Sequence, residues 1–154
     1  MVWAGLSSDR PCRSSFTADG QALPFIPYDD SWRQPSGVPA FRGLYEQSLS
    51  VFADRIGQAA IPVEQIHGEV VLTAGGDDQV WPSELFARQI EDRRARHGLA
   101  TTVLVHPEAG HRVRLPGEEA VADDGVMARG GTAEADAELG NALSQVLVRR
   151  LALV

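Results

Sequence analysis

A chain of 154 residues with 44% hydrophobic and 23% charged side chains has the composition of one globular domain, or part of one, large enough to bury a core. A formal charge of -7 with scattered arginines argues against a nucleic-acid surface, which needs a basic patch, and no apolar run is long enough for a membrane span, so the expectation is a soluble, cytoplasmic protein. All 14 basic residues are arginine, which excludes Schiff-base and P-loop lysine chemistry, and the single Cys12 excludes an internal disulfide framework or a Cys-rich zinc site.

In chain order, Met1 to Ala4 reads as a short strand ended by Gly5. Residues 7–40 carry five prolines among the aromatic side chains Phe16, Phe25, Tyr28 and Trp32, the pattern of an irregular but ordered excursion or lid. Leu44, Leu49, Phe52 and Ile56 follow a helical stripe over residues 41–56 that Gly57 ends. The β-branched run at residues 69–74 predicts a strand closing in Gly75-Gly76-Asp77-Asp78. A helix opens at Pro82-Ser83-Glu84, points Leu85, Phe86 and Ile90 inward, and closes on Gly98. A second strand at residues 101–105 ends in Pro107-Glu108-Ala109-Gly110-His111. After a polar stretch, Thr132 caps a final helix with a stripe of Leu139, Leu143, Val146, Leu147 and Leu151.

Strand, helix, strand and helix in alternation, with buried-type strands, predict an α/β fold with a parallel sheet. Residues 1–6, 69–75 and 101–106 are expected to form its three parallel strands, with helices on the faces and 69–75 in the middle. The first strand's outer side, Val2 and Trp3 included, is expected to lie open and to allow self-association through the sheet edge.

Each strong strand delivers an ionisable side chain from a glycine turn at its carboxyl end, where open α/β sheets keep their ligand chemistry. The first side chain is a carboxylate from Asp77 or Asp78, one of which could instead cap the following helix; the second is the imidazole of His111. An acid and then a histidine are the last two members of the α/β-hydrolase triad in chain order, yet no G-x-S-x-G or G-x-C-x-G elbow occurs in the chain. Cys12 lies in an irregular stretch with no strand leading into it, which fits no elbow. His67, His97 and His106 read as structural. The Glu64 to His67 and Glu108 to His111 spacings fall in turns rather than on a helix face, so neither a metal nor a cofactor is expected. Trp81 is a candidate anchor over the acid loop or simple packing.

Taken together and in order, Ile61-Pro62-Val63-Glu64, the segment from Gly75 to Ser83, Pro107-Glu108-Ala109-Gly110-His111 and Gly130-Gly131-Thr132 resemble one family. It is the C-terminal catalytic domain of acyl-CoA thioesterases and bile acid-CoA:amino acid N-acyltransferases, an α/β-hydrolase fold. The resemblance implies an acyl-CoA thioester substrate attacked by a Ser or Cys nucleophile. It also implies a triad completed by Asp78, with Asp77 as second choice, and by His111. The corresponding expectation is a partial α/β-hydrolase domain over residues 1–154, its acid and histidine part at 61–154, truncated before the nucleophile and inactive alone. The alternatives are a non-catalytic fragment that docks on a partner, or another α/β-hydrolase such as a dienelactone hydrolase.

Overall fold

The computed structural model of the protein describes residues 1–5, 13–120 and 125–151. Its strands are Thr17–Ala18 (β1), Gln21–Ala22 (β2), Val71–Gly75 (β3) and Thr102–His106 (β4), and its α-helices are Arg42–Val51 (α1), Ile56–Ala59 (α2), Ser83–Arg96 (α3) and Ala133–Leu151 (α4). Two compact units divide the chain: Met1–Gln34 with Gly43–Pro62, and Pro35–Arg42 with Val63–Val154.

The first unit orders the proline-rich excursion. Asp19 and Gly20 both have positive φ (50° and 75°), the twist that a two-residue hairpin loop requires, and they join β1 to antiparallel β2. The Trp3 ring stacks on Tyr28 at 5.7 Å and meets Tyr45 edge-on at 4.7 Å. Leu44, Tyr45, Ser48 and Leu49 form the buried face of α1. The helical stripe predicted over 41–56 breaks at Phe52, whose φ of -106° and ψ of 36° lie outside the helical well. A 3₁₀ turn and then α2 follow, the latter running through Gly57 rather than stopping there.

The N-terminal segment departs from expectation. The parallel sheet of the described residues has two strands, not three, and Met1–Gly5 is not one of them. Its backbone groups are taken locally: Val2 N–H donates to Ala59 O, Ile26 N–H to Val2 O and Ala4 N–H to Ile26 O, while Ser15 N–H donates to Trp3 O and Gly5 N–H to Arg13 O. Alternate residues of an extended segment present these groups to opposite sides, so both sides are occupied. The side expected to be open is therefore paired, and Val2 and Ala4 are buried.

In the second unit β3 and β4 pair in parallel, with Val71 opposite Thr102 and Gly75 opposite His106. Parallel neighbours need a crossover, and α3 provides it, packing on both strands while α4 packs chiefly on β4. Leu85, read as inward, is exposed, and Ala87 takes the buried position. Ala135 and Leu139 of α4 close a small core with Ala109, Leu104 and Val113. The stripe expected to continue along α4 reaches solvent at Leu151.

Arg94, which sequence reading assigned to no role, is 2% exposed. Its guanidinium donates to Thr101 Oγ1 and to the carbonyls of Val63, Ile66, Gly68 and Ala100. A buried cation is tolerable when every donor is satisfied, and this one fastens the C-terminal turn of α3 to the segments that lead into β3 and β4.

Candidate active site

The carboxyl ends of β3 and β4 are adjacent because the strands are parallel and in register through Gly75 and His106. Beyond them the chain makes two tight turns locked into each other. Gly76 N–H donates to His106 O and Asp77 N–H to Ala109 O. A Cβ at Gly75 would collide with the carbonyls of Ala109 and Gly110, and one at Gly110 with the Gly130 carbonyl. Only glycine permits backbones to approach this closely.

Asp78 is 2% exposed, and its two oxygens have separate tasks. Oδ1 accepts the backbone N–H groups of Val80, at 2.8 Å, and Trp81, at 3.2 Å. Oδ2 faces His111 Nδ1 at 3.1 Å. An ionised carboxylate only accepts, so Nδ1 carries the proton in this contact and Nε2 is left with its lone pair. The Trp81 indole covers the imidazole edge-on at 4.5 Å between ring centroids. His111 is further fixed through its backbone, whose N–H donates to Arg129 O at 2.9 Å.

Asp77 does not approach the histidine. Its Oδ1 accepts from Gln79 Nε2 at 2.7 Å and its Oδ2 from Gly131 N–H at 2.8 Å, while Gln79 N–H donates to the same Arg129 carbonyl that holds His111. The two adjacent aspartates therefore divide the work, Asp78 meeting the imidazole and Asp77 tying the Gly130-Gly131 turn beneath it. Neither caps α3, whose N-cap residue Pro82 makes no side-chain cap bond.

Arg42 was missed in the sequence and bears on the site: its Nη1 donates to Gly76 O at 2.8 Å, and Phe41 and Arg42 N–H both donate to Gln79 O. An arginine more than thirty positions upstream of the turn it holds carries no local signal. His106 accepts Glu108 N–H at Nδ1 and presents Nε2 to Glu138 at 3.1 Å, away from Asp78. His67 and His97 are exposed. Among the described residues no group of three or more His, Cys, Asp or Glu side chains is disposed to hold a metal, and none donates a serine hydroxyl to the His111 ring. Cys12 lies outside the described residues.

Residues 37–137, which include both turns, match the family model described as BAAT / Acyl-CoA thioester hydrolase C terminal. The chain belongs to this family. This domain is the C-terminal part of an α/β-hydrolase-like fold, and the described residues include the parallel pair β3 and β4 with its helices. Among curated proteins it is 33% identical to the peroxisomal succinyl-coenzyme A thioesterase of Mus musculus over 82 residues, covering 50% of this chain and 19% of that one. It is 28% identical to acyl-coenzyme A thioesterase 6 of Mus musculus over 56% of this chain and 20% of the relative. It is also 30% identical to acyl-coenzyme A amino acid N-acyltransferase 2 of Rattus norvegicus, over 53% and 19%. The chain thus spans about a fifth of the length of these relatives.

Proposed function

We propose that the chain supplies the acid and the general base of an enzyme that transfers an acyl group from a coenzyme A thioester to water. The observation that carries this reading is the 3.1 Å contact between His111 Nδ1 and a buried Asp78 whose other oxygen is committed to the backbone. Membership in a family whose relatives include thioesterases and N-acyltransferases supports the substrate class.

In the proposed reaction His111 Nε2 takes the proton from a Ser or Cys nucleophile as its heteroatom attacks the thioester carbonyl. Asp78 stabilises the imidazolium that forms. Collapse of the tetrahedral intermediate breaks the carbon–sulfur bond, and the imidazolium gives its proton to the departing coenzyme A thiolate. Water, deprotonated by the same Nε2, then attacks the acyl-enzyme; collapse breaks the bond to the Ser or Cys, which regains its proton from the imidazolium as the acid departs. The 154 residues hold no G-x-S-x-G or G-x-C-x-G elbow, so the proposed reaction requires a nucleophile and oxyanion donors that this sequence does not display.

The test is thiol release from acyl-CoA by this chain alone and by a fusion of it to the elbow-containing segment of a relative. The chain alone is expected to stay at background. The fusion is expected to hydrolyse the thioester and to lose that activity in His111→Ala. Hydrolysis by the fusion that is indifferent to His111→Ala would overturn the assignment.

A further inference from the structure

Trp81, which the sequence leaves open between an anchor and simple packing, touches both members of the acid–base pair, one through its backbone and the other through its ring. Its N–H donates to Asp78 Oδ1 at 3.2 Å and its carbonyl accepts Ser83 N–H at 2.8 Å. Pro82 follows it, buried and with φ at -75°, and a proline restricts the backbone of the residue before it. Ser83 Oγ in turn donates to Gly75 O at 3.0 Å, which ties the same turn to the end of β3. The backbone therefore holds the indole in place although the side chain gives little to the core: Trp81 is 39% exposed, whereas Trp3 and Trp32 are half-buried.

The ring so held lies against the base. Indole and imidazole meet with their planes at 83° and their centroids 4.5 Å apart, the close end of the range for edge-to-face pairs. The imidazole needs such a wall. Asp78 grips the ring through one hydrogen bond of 3.1 Å, and the terminal torsion of a histidine is broad and nearly two-fold, so a half-turn about it would swing Nδ1 off the carboxylate and put a carbon there instead. The His111 side chain is partly open to solvent, which does not oppose that turn. A fixed ring in van der Waals contact does.

We infer that Trp81 is a positioning residue of the acid–base pair: its indole confines the His111 imidazole to the orientation in which Nδ1–H meets Asp78 and Nε2 is presented to the reacting atoms. The inference rests on the proposed acyl-transfer reading of that pair. Trp81 acts through His111, so its effect falls on the rate of the chemistry and not on substrate binding. Misplacing a reacting group by about 1 Å can cost on the order of 100-fold in rate, which sets the scale.

The experiment reads the imidazole in the whole chain by NMR and the rate in the fusion. The natural chain is expected to show a His111 Nδ1–H signal protected from exchange with water. Trp81→Ala and Trp81→Leu are expected to broaden or lose that signal while the backbone amide spectrum is otherwise kept, and Trp81→Phe, which restores a flat ring, to retain it. In the fusion Trp81→Ala is expected to lower kcat about 10- to 100-fold with KM moved less than about twofold, and Trp81→Phe to recover most of the rate. A signal intact in both the Ala and Leu variants overturns the inference, as does a loss in Trp81→Phe as complete as in Trp81→Ala. Loss of the signal only together with the amide spectrum overturns it as well, because the indole would then be a packing group. A raised KM with kcat unchanged overturns it too, since the indole would be touching the substrate. A signal that depends on Trp81 in a chain whose fusion does not hydrolyse the thioester leaves the positioning role standing and removes the reaction, whereas hydrolysis at the natural rate in Trp81→Ala removes the positioning role alone.

Discussion

The division of labour between Asp77 and Asp78 shows how much a single side chain can carry. Substituting Asp78 separates two effects that one residue combines. In Asp78→Asn an amide oxygen can still accept from Val80 and Trp81, but the amide NH₂ faces Nδ1 and favours the wrong histidine tautomer. The expected outcome is nearly native stability in urea denaturation, loss of the downfield His111 Nδ1–H proton signal, and a drop in kcat of the fusion on the order of 10³–10⁴-fold. Asp78→Ala strands two backbone donors in a buried turn and is expected to cost about 1–3 kcal/mol of stability in addition. Equal urea midpoints for the two variants would mean that the backbone bonds contribute nothing. The sequence narrowed the acid to two neighbours through the doubled carboxylate after Gly75-Gly76. The family resemblance put Asp78 first, but the local pattern alone does not separate the two, because what sets them apart is Gly131, whose N–H claims Asp77 from more than fifty positions away.

At the scale of elements, the turns after β3 and β4 and the Gly130-Gly131 turn behave as one interlocked object. Gly110→Ala drives a methyl into the Gly130 carbonyl, where backbone on both sides leaves no easy relaxation, and is expected to cost at least about 1–3 kcal/mol in urea denaturation. Gly57→Ala in α2 meets nothing within 4 Å and is expected to be neutral or to stabilise by about 0.5–1 kcal/mol. The same destabilisation at both positions would contradict the close approach. Elements with a strong local signal were legible: β3, α3, β4 and α4 fall within a few residues of their predicted spans. The break at Phe52 was not, since a helical stripe runs through it unaltered. The Asp19-Gly20 hairpin carries a recognisable turn signal that the density of prolines concealed. Arg94 was concealed by its neighbours Arg93 and Arg96, which make it look like part of a solvated face. Arg94→Met fits the volume but leaves four carbonyls without their donor, and is expected to cost about 3–5 kcal/mol, read from the urea midpoint. Recovery of stability in Arg94→Lys would show that charge, rather than the number and fork geometry of donors, matters there.

For the whole molecule, the two-stranded sheet marks the limit of pattern reading. An apolar N-terminal segment reads as a strand but does not say which neighbour will claim its backbone, and Ile26, Ser15 and Ala59 claim this one. What the second unit does instead is fasten its loops to α3 through polar groups, and one of these gives the protein a defined acid response. Arg93 grips Glu64 with two N–H groups and holds its carboxyl at about 2, well below the ordinary value of 4.5. A depressed carboxyl pKa means that the unfolded chain binds the proton first as pH falls. The contribution of Glu64 is therefore complete above about pH 4.5 and disappears as the pH drops toward about 2. Glu64→Gln should be less stable than the natural chain near neutrality, and the two urea midpoints should converge across that window. Raising the pH above the window should leave the gap unchanged, because both forms of the chain are then already deprotonated at this position. A gap that stays constant down to about pH 2 would mean that protonating Glu64 does not weaken its hold on Arg93, so that its carboxyl is not held below the ordinary value and the bidentate pair owes its strength to hydrogen bonding rather than to charge.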